Sequence, residues 1–132
     1  MTSQISVVAA VIIRDGLVLC TQRGTGPLAG LWEFPGGKIE DGEPPRSALA
    51  REIREELLCD IAIGEEITTT RYDYDFGTVT LTTFFAELIA GEPQLTEHVE
   101  ARWLSRDALD SLDWAPADVP AIRLIRDHNH GQ

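Results

Sequence analysis

The apolar positions in the first quarter of the chain follow a strand pattern. Two runs rich in β-branched residues, 5–14 and 17–23, are joined by the Asp-Gly pair at 15–16, which favours a tight hairpin turn. Glycines and a proline predict a loop at 24–30, and a short extended piece at 31–34 stops at the Pro-Gly-Gly that follows. We therefore expect a buried antiparallel pair of strands at the start of the fold.

Residues 44–57 change to a helical composition of Ala, Leu, Arg and Glu, with prolines only at the start, where a helix tolerates them. At about 100° per residue, Leu49, Ile53 and Leu57 fall within about 80° of one another and form an apolar stripe. This segment is the long helix of the predicted fold, and the stripe is the face that we expect it to bury.

The rest of the chain returns to strand patterns and ends in helices. Two runs rich in threonine and aromatic residues, separated at Gly77, predict a long hairpin, and a turn near Gly64 precedes it. Ser105 and Asp118 are candidate N-caps of two helices. The predicted elements are strands at 59–63, 66–76, 78–89 and 100–104 and helices at 105–112 and 117–128. This order predicts one α+β domain, residues 1–132, in which helices cover a mostly antiparallel or mixed sheet.

Charge restricts the classes of ligand. The 132 residues include 11 Lys and Arg against 22 Asp and Glu, which gives a formal net charge of −11. Such a chain repels nucleic-acid backbones and anionic membranes, so we expect neither as a partner. A polyanionic ligand would bind with the help of cations.

Cysteine usage and the N-terminus predict the location. Cys20 and Cys59 lie in apolar runs, and the first residues lack the basic start and cleavage site of a secretory signal. The apolar run at 5–13 is too short to span a bilayer. We expect a reduced, cytoplasmic protein without a membrane segment.

The predicted helix carries more negative charge than its own arginines balance. Glu56 lies next to the apolar stripe, and Glu52 and Glu56 are i, i+4 neighbours of like charge, which destabilises a helix. Arg51 can pair with Glu55, which leaves Glu56 half-buried and unpaired. Two interpretations remain open: a solvated charged face, or a site for a hard divalent cation such as Mg²⁺, which prefers carboxylate oxygens.

The segment FPGGKIEDGE before the helix favours the cation site. Its Gly-Gly turn lets the backbone approach a ligand, Lys38 suits a phosphate, and Glu43 lies near the helix N-terminus. The segment is not a P-loop, because Trp32 stands where that motif requires glycine and no Ser or Thr follows Lys38. The DYDFG sequence at 73–77 lacks the later glutamate of an EF-hand.

From the second glycine of this turn to the end of the helix, the sequence resembles the Nudix box, G-x5-E-x7-R-E-U-x-E-E-x-G-U, in which U is aliphatic. Leu58 replaces the box glycine after the helix. Because leucine in the left-handed conformation costs roughly 1–2 kcal/mol, we expect this helix to end differently. The matching residues are Gly37, Glu43, Arg51, Glu52, Ile53, Glu55 and Glu56.

Further segments, from VVAAVI near the start to WAPADVP near the end, are similar to the MutT-type branch of this superfamily. The resemblance implies the Nudix fold, a mixed sheet sandwiched between helices (α/β/α). It also implies an enzyme dependent on Mg²⁺, or on Mn²⁺, that cleaves a nucleoside triphosphate to monophosphate and pyrophosphate. The implied metal ligands are Glu52, Glu55, Glu56, Glu97 and the Gly37 carbonyl, and the implied catalytic set is these glutamates with Arg51.

The resemblance gives supporting roles to neighbouring residues. Arg51 orients a box glutamate, with Glu55 as the expected partner, and Glu43 is a structural residue of the box that holds the loop. Lys38 and Arg23 are the positive groups that we expect near the phosphates. Arg23 also fits a surface position at the end of a strand.

The general base has two candidates. Glu97, six residues before Trp103, matches a position that often supplies a further metal-bound carboxylate in this family, and Glu100 competes with it. Glu97 also fits an ordinary mobile surface loop. We expect His98 to face solvent.

Base recognition is implied at two positions. Phe34 either packs against the base or belongs to the core, and Asp118 either reads the base or caps the last helix. An ionised carboxylate only accepts hydrogen bonds, which suits the amino group of cytosine or the N–H groups of guanine. Donation to O6 of 8-oxoguanine requires protonated aspartate, so Asp118 favours cytidine nucleotides. By strand alternation Tyr72, Tyr74 and Phe76 share one face and are candidates to line the nucleotide pocket.

These expectations describe a small-molecule nucleotide hydrolase that removes 8-oxo-dGTP, (d)CTP-like nucleotides or both from the nucleotide pool. One alternative is hydrolysis of another nucleoside diphosphate-linked substrate. A second is a non-catalytic nucleotide-binding module, which would be expected to have lost box glutamates. A monomer and a homodimer both fit the sequence.

Overall fold

The computed structural model describes residues 3–128 as a sheet with helices on both faces. Among these residues no helix is long and apolar enough to cross a bilayer. The strands are β1 (Gln4–Arg14), β2 (Leu17–Arg23), β3 (Trp32–Glu33), β4 (Gly36–Lys38), β5 (Asp60–Tyr74), β6 (Gly77–Ala90) and β7 (His98–Leu104). The helices are α1 (Pro45–Leu57), two 3-10 helices (Arg106–Ser111 and Pro116–Asp118) and α2 (Val119–His128).

The strands form one mixed sheet in the order β3-β2-β1-β6-β5, with β7 paired to β2 and β4 to β1. β1 and β6 run parallel along most of their length. The other edge of β1 is divided, because it pairs with β2 at Ile13 and Arg14 and with β4 at Val7, Val8 and Ala9. The Gly-Gly turn before α1, which forms β4, therefore lies beside β1 where β1 no longer pairs with β2.

The sheet lies between the helices because β1 is apolar on both faces. Successive residues of a strand point to opposite faces. The even-numbered residues from Val8 to Ile12 pack with α1, whereas Ala9 and Val11 pack with α2. The apolar stripe of α1 is completely buried, as expected. The predicted α+β class and the sandwich of a mixed sheet between helices are confirmed.

The first hairpin is confirmed, and the strand after α1 differs from the prediction. Asp15 and Gly16 have φ values of 53° and 77°, as a tight hairpin turn requires. The predicted turn near Gly64 is wrong, because β5 continues through it. The pairing of β5 with β6 shifts register between Ile63 and Glu66, so a β-bulge takes the place of a turn.

The short extended piece ends at Glu33, before the Pro-Gly-Gly segment, as expected, and a separate strand, β4, then begins at Gly36. A Cβ on Gly36 would lie 1.9 Å from the Val8 carbonyl oxygen, so only glycine allows this approach. Ser105 makes no side-chain capping hydrogen bond, and the segment after it forms a 3-10 helix.

The expectation that α1 ends differently is also wrong, because Leu58 takes the left-handed conformation with φ 55° and ψ 37°. The loop after β6 supplies hydrogen bonds to the end of the helix. The Gln94 N–H donates to the Leu57 carbonyl at 2.8 Å, and Thr96 Oγ1 donates to the Glu56 carbonyl at 2.6 Å. These bonds satisfy carbonyls of the last helical turn and offset the backbone strain at Leu58.

We expect Leu58→Gly to raise the free energy of unfolding by about 1 kcal/mol, because glycine adopts this conformation without steric cost. Little packing is lost, since 51% of Leu58 is exposed. Urea denaturation measures the change. Leu58→Ala removes the same exposed atoms and keeps the strained Cβ, so its stability should stay near that of the wild type. Equal stability of the glycine and alanine variants would show that Leu58 is not strained.

Candidate active site

Arg51 joins the turn before α1 to the helix. Its Nε and Nη2 donate to the two carboxylate oxygens of Glu43 at 2.8 and 2.9 Å, and Nη2 also donates to the Lys38 carbonyl at 3.1 Å. Glu43 accepts a further hydrogen bond from the Glu40 N–H at 3.0 Å. The hydrogen bonds from Arg51 lower the pKa of the Glu43 carboxyl to about 2. Glu43 thus receives two hydrogen bonds from Arg51 and is its main partner.

Two further box glutamates contact the same guanidinium. Arg51 Nη1 donates to Glu52 at 3.0 Å and to Glu55, the expected partner, at 3.1 Å. A Cβ on Gly37 would lie 2.3 Å from the carboxylate carbon of Glu52. Glycine at this position therefore allows the Glu52 carboxylate to approach the backbone of the turn.

Glu56 is the box glutamate with an unsatisfied oxygen. Within residues 3–128, its Oε1 is buried and has no hydrogen-bond partner. Burial, followed by the charges of Glu33, Glu52 and Glu97, raises the pKa of Glu56 to about 8. Glu56 is therefore partly buried and has one oxygen without a partner, as the sequence predicted. A nearby cation would stabilise its charged form.

The residues around Glu56 fit a hard divalent cation in charge and in ligand type. Oε1 is a free buried oxygen, and the charges of Glu52 and Glu97 reach it. In the part of the chain that the structure describes, no three His, Cys, Asp or Glu side chains are gathered into a preformed metal site. Arg51 instead holds the carboxylates of Glu52 and Glu55. The observation that fits a divalent cation is therefore the unpaired carboxylate oxygen of Glu56 and not a complete set of ligands.

The two candidate bases lie in different surroundings. Glu97 is exposed just before β7, and its charge adds to burial in raising the pKa of both Glu52 and Glu56. Glu100 lies inside β7, where its Oε2 accepts a hydrogen bond from Arg102 Nε at 2.6 Å. These contacts favour Glu97 over Glu100 as the carboxylate that joins the glutamates of α1.

His98 is buried, so the expectation that it faces solvent is wrong. Only 3% of its side chain is exposed, and its Nε2 lies 3.0 Å from Glu33 Oε2. The pairing of β2 with β7 shifts register here, because Arg23 faces His98 whereas Gln22 faces Glu100. A β-bulge of this kind reorients side chains, and it accounts for the inward direction of His98.

Glu33 connects the two ends of the site, and it was not identified from the sequence. Its Oε1 accepts a hydrogen bond from Arg23 Nε at 3.2 Å, and its Oε2 faces His98. Its charge adds to burial in raising the pKa of Glu56 and of Asp118. The available signal was a charged residue between two aromatic residues in a short extended segment.

A cavity of about 320 Å³ lies beside the Gly-Gly turn. Its lining includes Gly37, Glu33 and apolar residues of β1 and β6. The structure brings four residues that were predicted to bind substrate to this one cavity, whereas Tyr72 is not part of its lining. The four residues are Arg23, Phe34, Lys38 and Asp118.

Aromatic side chains form one side of the cavity. The rings of Tyr72 and Tyr74 are 4.6 Å apart and those of Tyr74 and Phe76 are 4.9 Å apart, so the three share one face as expected. Tyr74 and Phe76 line the cavity. Phe34 lines it too, but its ring also lies 4.7 Å from that of Trp114 in the core, and 3% of the residue is exposed.

Asp118 is buried in the lining of the cavity, with 5% of the residue exposed. Its Oδ1 accepts a hydrogen bond from the Phe34 N–H at 3.2 Å. Burial, and then the charge of Glu33, raises the pKa of the Asp118 carboxyl well above its usual range. The raised pKa favours the neutral form of Asp118 over the ionised carboxylate that the sequence suggested. The hydrogen bonds described for residues 3–128 include none in which this carboxyl caps α2.

Comparison with known proteins gives a consistent assignment. Residues 3–125 match the NUDIX domain family. The chain is 43% identical over 123 residues to a Mycobacterium tuberculosis protein named "Putative 8-oxo-dGTP diphosphatase 2", with 89% of this chain and 84% of that protein covered. It is 39% identical over 119 residues to the CTP pyrophosphohydrolase of Escherichia coli, with 89% and 88% covered.

A solved structure agrees with these relatives. The MutT mismatch repair protein of Staphylococcus aureus superposes with a TM-score of 0.81 at 47% identity, and 98% of this chain and 100% of that one are covered. The match to the family spans most of the chain, and the box residues meet in one site beside a cavity. The chain belongs to the Nudix hydrolase family and is a MutT-type member of it.

Proposed function

We propose that the protein uses Mg²⁺ to hydrolyse nucleoside triphosphates to monophosphate and pyrophosphate, and that 8-oxo-dGTP is its preferred substrate. In the cell this activity would remove an oxidised nucleotide from the pool. The buried Asp118 carboxyl, which lines an aromatic cavity and has a raised pKa, supports a base that presents a carbonyl acceptor, and the relative named as an 8-oxo-dGTP diphosphatase supports the oxidised guanine. A neutral carboxyl donates a hydrogen bond, which an ionised one cannot do.

The triphosphate fits the end of the cavity beside the Gly-Gly turn. Lys38 and Arg23 line the cavity and supply positive charge, and the hydrogen bond to Glu33 fixes the direction of the Arg23 guanidinium. Gly37 lines the cavity, and its lack of a side chain leaves room for the Glu52 carboxylate beside the backbone of the turn. The rest of the protein is strongly acidic, so these two groups and bound cations provide the attraction for phosphate.

The glutamates of α1 provide the chemistry. A bound Mg²⁺, or Mn²⁺, neutralises phosphate oxygens and lowers the pKa of a coordinated water. Arg51 keeps Glu52 and Glu55 oriented through its hydrogen bonds. The Glu97 carboxylate accepts the proton of the attacking water as the general base. The groups that would hold the ion are Glu52, Glu55, Glu56, Glu97 and the Gly37 carbonyl.

The base fits between the aromatic residues and Asp118. The rings of Tyr74 and Phe76 are stacked with an interplanar angle of 10° and offer an apolar surface to a purine. Asp118 keeps Oδ1 on the Phe34 N–H, and its protonated oxygen donates to O6 of 8-oxoguanine. The carboxyl thus recognises a carbonyl group of the base while its own acceptor stays satisfied.

CTP is the second candidate, because a neutral carboxyl also donates to N3 of cytosine and accepts from its amino group. The relative named CTP pyrophosphohydrolase supports this alternative. A substrate panel separates the two candidates: CTP, dCTP, 5-methyl-dCTP, 8-oxo-dGTP, dGTP and ADP-ribose, each with and without Mg²⁺, assayed for pyrophosphate release, with ADP-ribose followed by its nucleoside monophosphate. We expect the highest kcat/KM for 8-oxo-dGTP and no turnover without the metal. A preference for ADP-ribose, or inactivity on every compound, would contradict the proposal.

We expect Glu56→Gln to lower kcat by at least about 100-fold, because the variant loses a carboxylate that would hold the ion. The metal-free variant should be at least as stable as the wild type, because the charge of Glu52 raises the pKa of Glu56 and their repulsion is removed. Pyrophosphate release and urea denaturation measure the two effects. The matched control is Glu87→Gln, an exposed carboxylate on β6. Normal turnover by Glu56→Gln would remove Glu56 from the site.

Asparagine and leucine at position 118 test the protonation of the carboxyl. The asparagine amide presents a donor and an acceptor as neutral Asp118 does, so we expect Asp118→Asn to keep kcat/KM for 8-oxo-dGTP within about threefold. Asp118→Leu presents neither group and should lower kcat/KM by about 100-fold. A large loss in Asp118→Asn at neutral pH would show that the ionised carboxylate reads the base.

The raised pKa of Asp118 also predicts how the free energy of unfolding depends on pH. A carboxyl whose pKa is raised in the folded state stabilises that state below its usual pKa of 3.8, and this advantage is lost as pH rises through the raised value. The wild type should therefore lose free energy of unfolding relative to Asp118→Asn between pH 4 and neutral pH and above, as measured by urea denaturation at a series of pH values. A constant difference across this range would show that the Asp118 pKa is not raised.

A further inference from the structure

The loop that carries Glu97 is hydrogen-bonded to the end of the helix that carries the box glutamates. The last carbonyls of a helix have no partner within it. Here the Gln94 N–H donates to the Leu57 carbonyl at 2.8 Å, and Thr96 Oγ1 donates to the Glu56 carbonyl at 2.6 Å. Thr96 directly precedes Glu97, so one hydrogen bond connects the backbone of Glu56 to the residue beside Glu97.

The other side of Glu97 is fixed by packing. The next residue, His98, is buried against Glu33. A Cβ on Gly24 would lie 2.7 Å from Val99 Cγ1 and 3.4 Å from the Glu97 carbonyl oxygen, so the chain passes close to the loop after β2. On the side of α1, the hydroxyl of Thr96 and the backbone of Gln94 make the connection.

Thr96 is exposed, so its hydroxyl does not satisfy a group of the core. Glu97 directly follows Thr96, and its charge acts on Glu52 and Glu56 of α1. An exposed loop glutamate keeps that position only if the loop is held in place. Among the hydrogen bonds described for residues 3–128, that of Thr96 is the side-chain bond that ties this loop to α1.

We propose that Thr96 is a positioning residue, whose hydroxyl bond to the Glu56 carbonyl keeps the Glu97 carboxylate beside Glu52 and Glu56. This role rests on the proposed function, in which Glu97 holds the ion and accepts a proton. Small displacements of a reacting group lower turnover strongly, so loss of this one bond affects chemistry more than folding.

The test uses variants that separate the hydroxyl from the shape of the side chain. Thr96→Val removes the hydroxyl, and Thr96→Ser retains it. Ser111→Ala is the matched control, because Ser111 Oγ donates to the Ala108 carbonyl at 2.6 Å in a 3-10 helix outside the site. For each protein, kcat and KM for 8-oxo-dGTP are measured, and Mn²⁺ affinity is measured on the nucleotide-free protein by electron paramagnetic resonance.

We expect Thr96→Val to lower kcat about tenfold and to weaken Mn²⁺ binding severalfold, with KM changed by less than about twofold. Thr96→Ser and Ser111→Ala should stay within about twofold of the wild type in all three quantities. In a Glu97→Gln background, adding Thr96→Val should change kcat and Mn²⁺ affinity by less than about twofold, because the carboxylate that Thr96 positions is gone.

Equal effects of Thr96→Val in the wild-type and Glu97→Gln backgrounds would overturn the proposal, because Thr96 would then act on the fold alone. Unchanged kcat and Mn²⁺ affinity in Thr96→Val, or in Glu97→Gln alone, would overturn it as well. The Mn²⁺ measurement separates this inference from the proposed function. A wild type that hydrolyses none of the nucleotides but shows the expected non-additive loss of Mn²⁺ affinity would contradict the proposed function and support the role of Thr96.

Discussion

The Glu56 carboxylate is the constraint around which the site is built. It lies beside the apolar stripe of α1, one of its oxygens is buried without a partner in the described part of the chain, and negative side chains surround it. The buried charge therefore costs free energy, which either protonation or a nearby cation relieves. The nearby Arg51 does not neutralise it, because its hydrogen bonds go to Glu43, Glu52 and Glu55. A local conflict of this kind is typical of a functional site.

The charge of Glu33 affects two buried carboxyl groups. In each case after burial, the Glu33 charge raises the pKa of Glu56 on α1 and of Asp118 in the lining of the cavity. The two carboxyl groups differ in their hydrogen bonds. Within residues 3–128, Glu56 has a buried oxygen without a hydrogen-bond partner, whereas one oxygen of Asp118 accepts a hydrogen bond from the Phe34 N–H at the wall of the cavity. Under the proposed function, a net charge of −11 is compatible with a triphosphate substrate, because cations would mediate the phosphate contacts.

Periodicity and spacing predicted the parts of the fold that depend on local sequence. The stripe of α1 and the hairpin at Asp15 and Gly16 are examples, since each follows from the geometry of a single element. The box spacing likewise predicted which residues meet beside the turn. The errors concern residues whose state depends on distant contacts. A register shift against β6 carries β5 through Gly64, and a bulge between β2 and β7 buries His98.

The conformation of Leu58 and the pKa of Asp118 also depend on contacts with residues that are distant in the sequence. Leucine alone argues against a left-handed helix end, but hydrogen bonds from Gln94 and Thr96 make that end possible. Aspartate alone suggests a charge, but burial against β3 raises its pKa. Glu33 could not be predicted for a related reason. It belongs to no motif, and its role depends on its contacts with Arg23 and His98.

Metal-dependent stabilisation is the most direct measure of the central claim, that Glu56 is a buried carboxylate arranged for a divalent cation. A ligand that binds only the folded state stabilises it by RT ln(1 + [L]/Kd). The Tm of the wild type, measured with increasing MgCl₂ at constant ionic strength, should rise in proportion to the logarithm of the free Mg²⁺ concentration, while the Tm of Glu56→Gln should stay nearly constant. Equal shifts in the two proteins, or no shift in the wild type, would contradict the account.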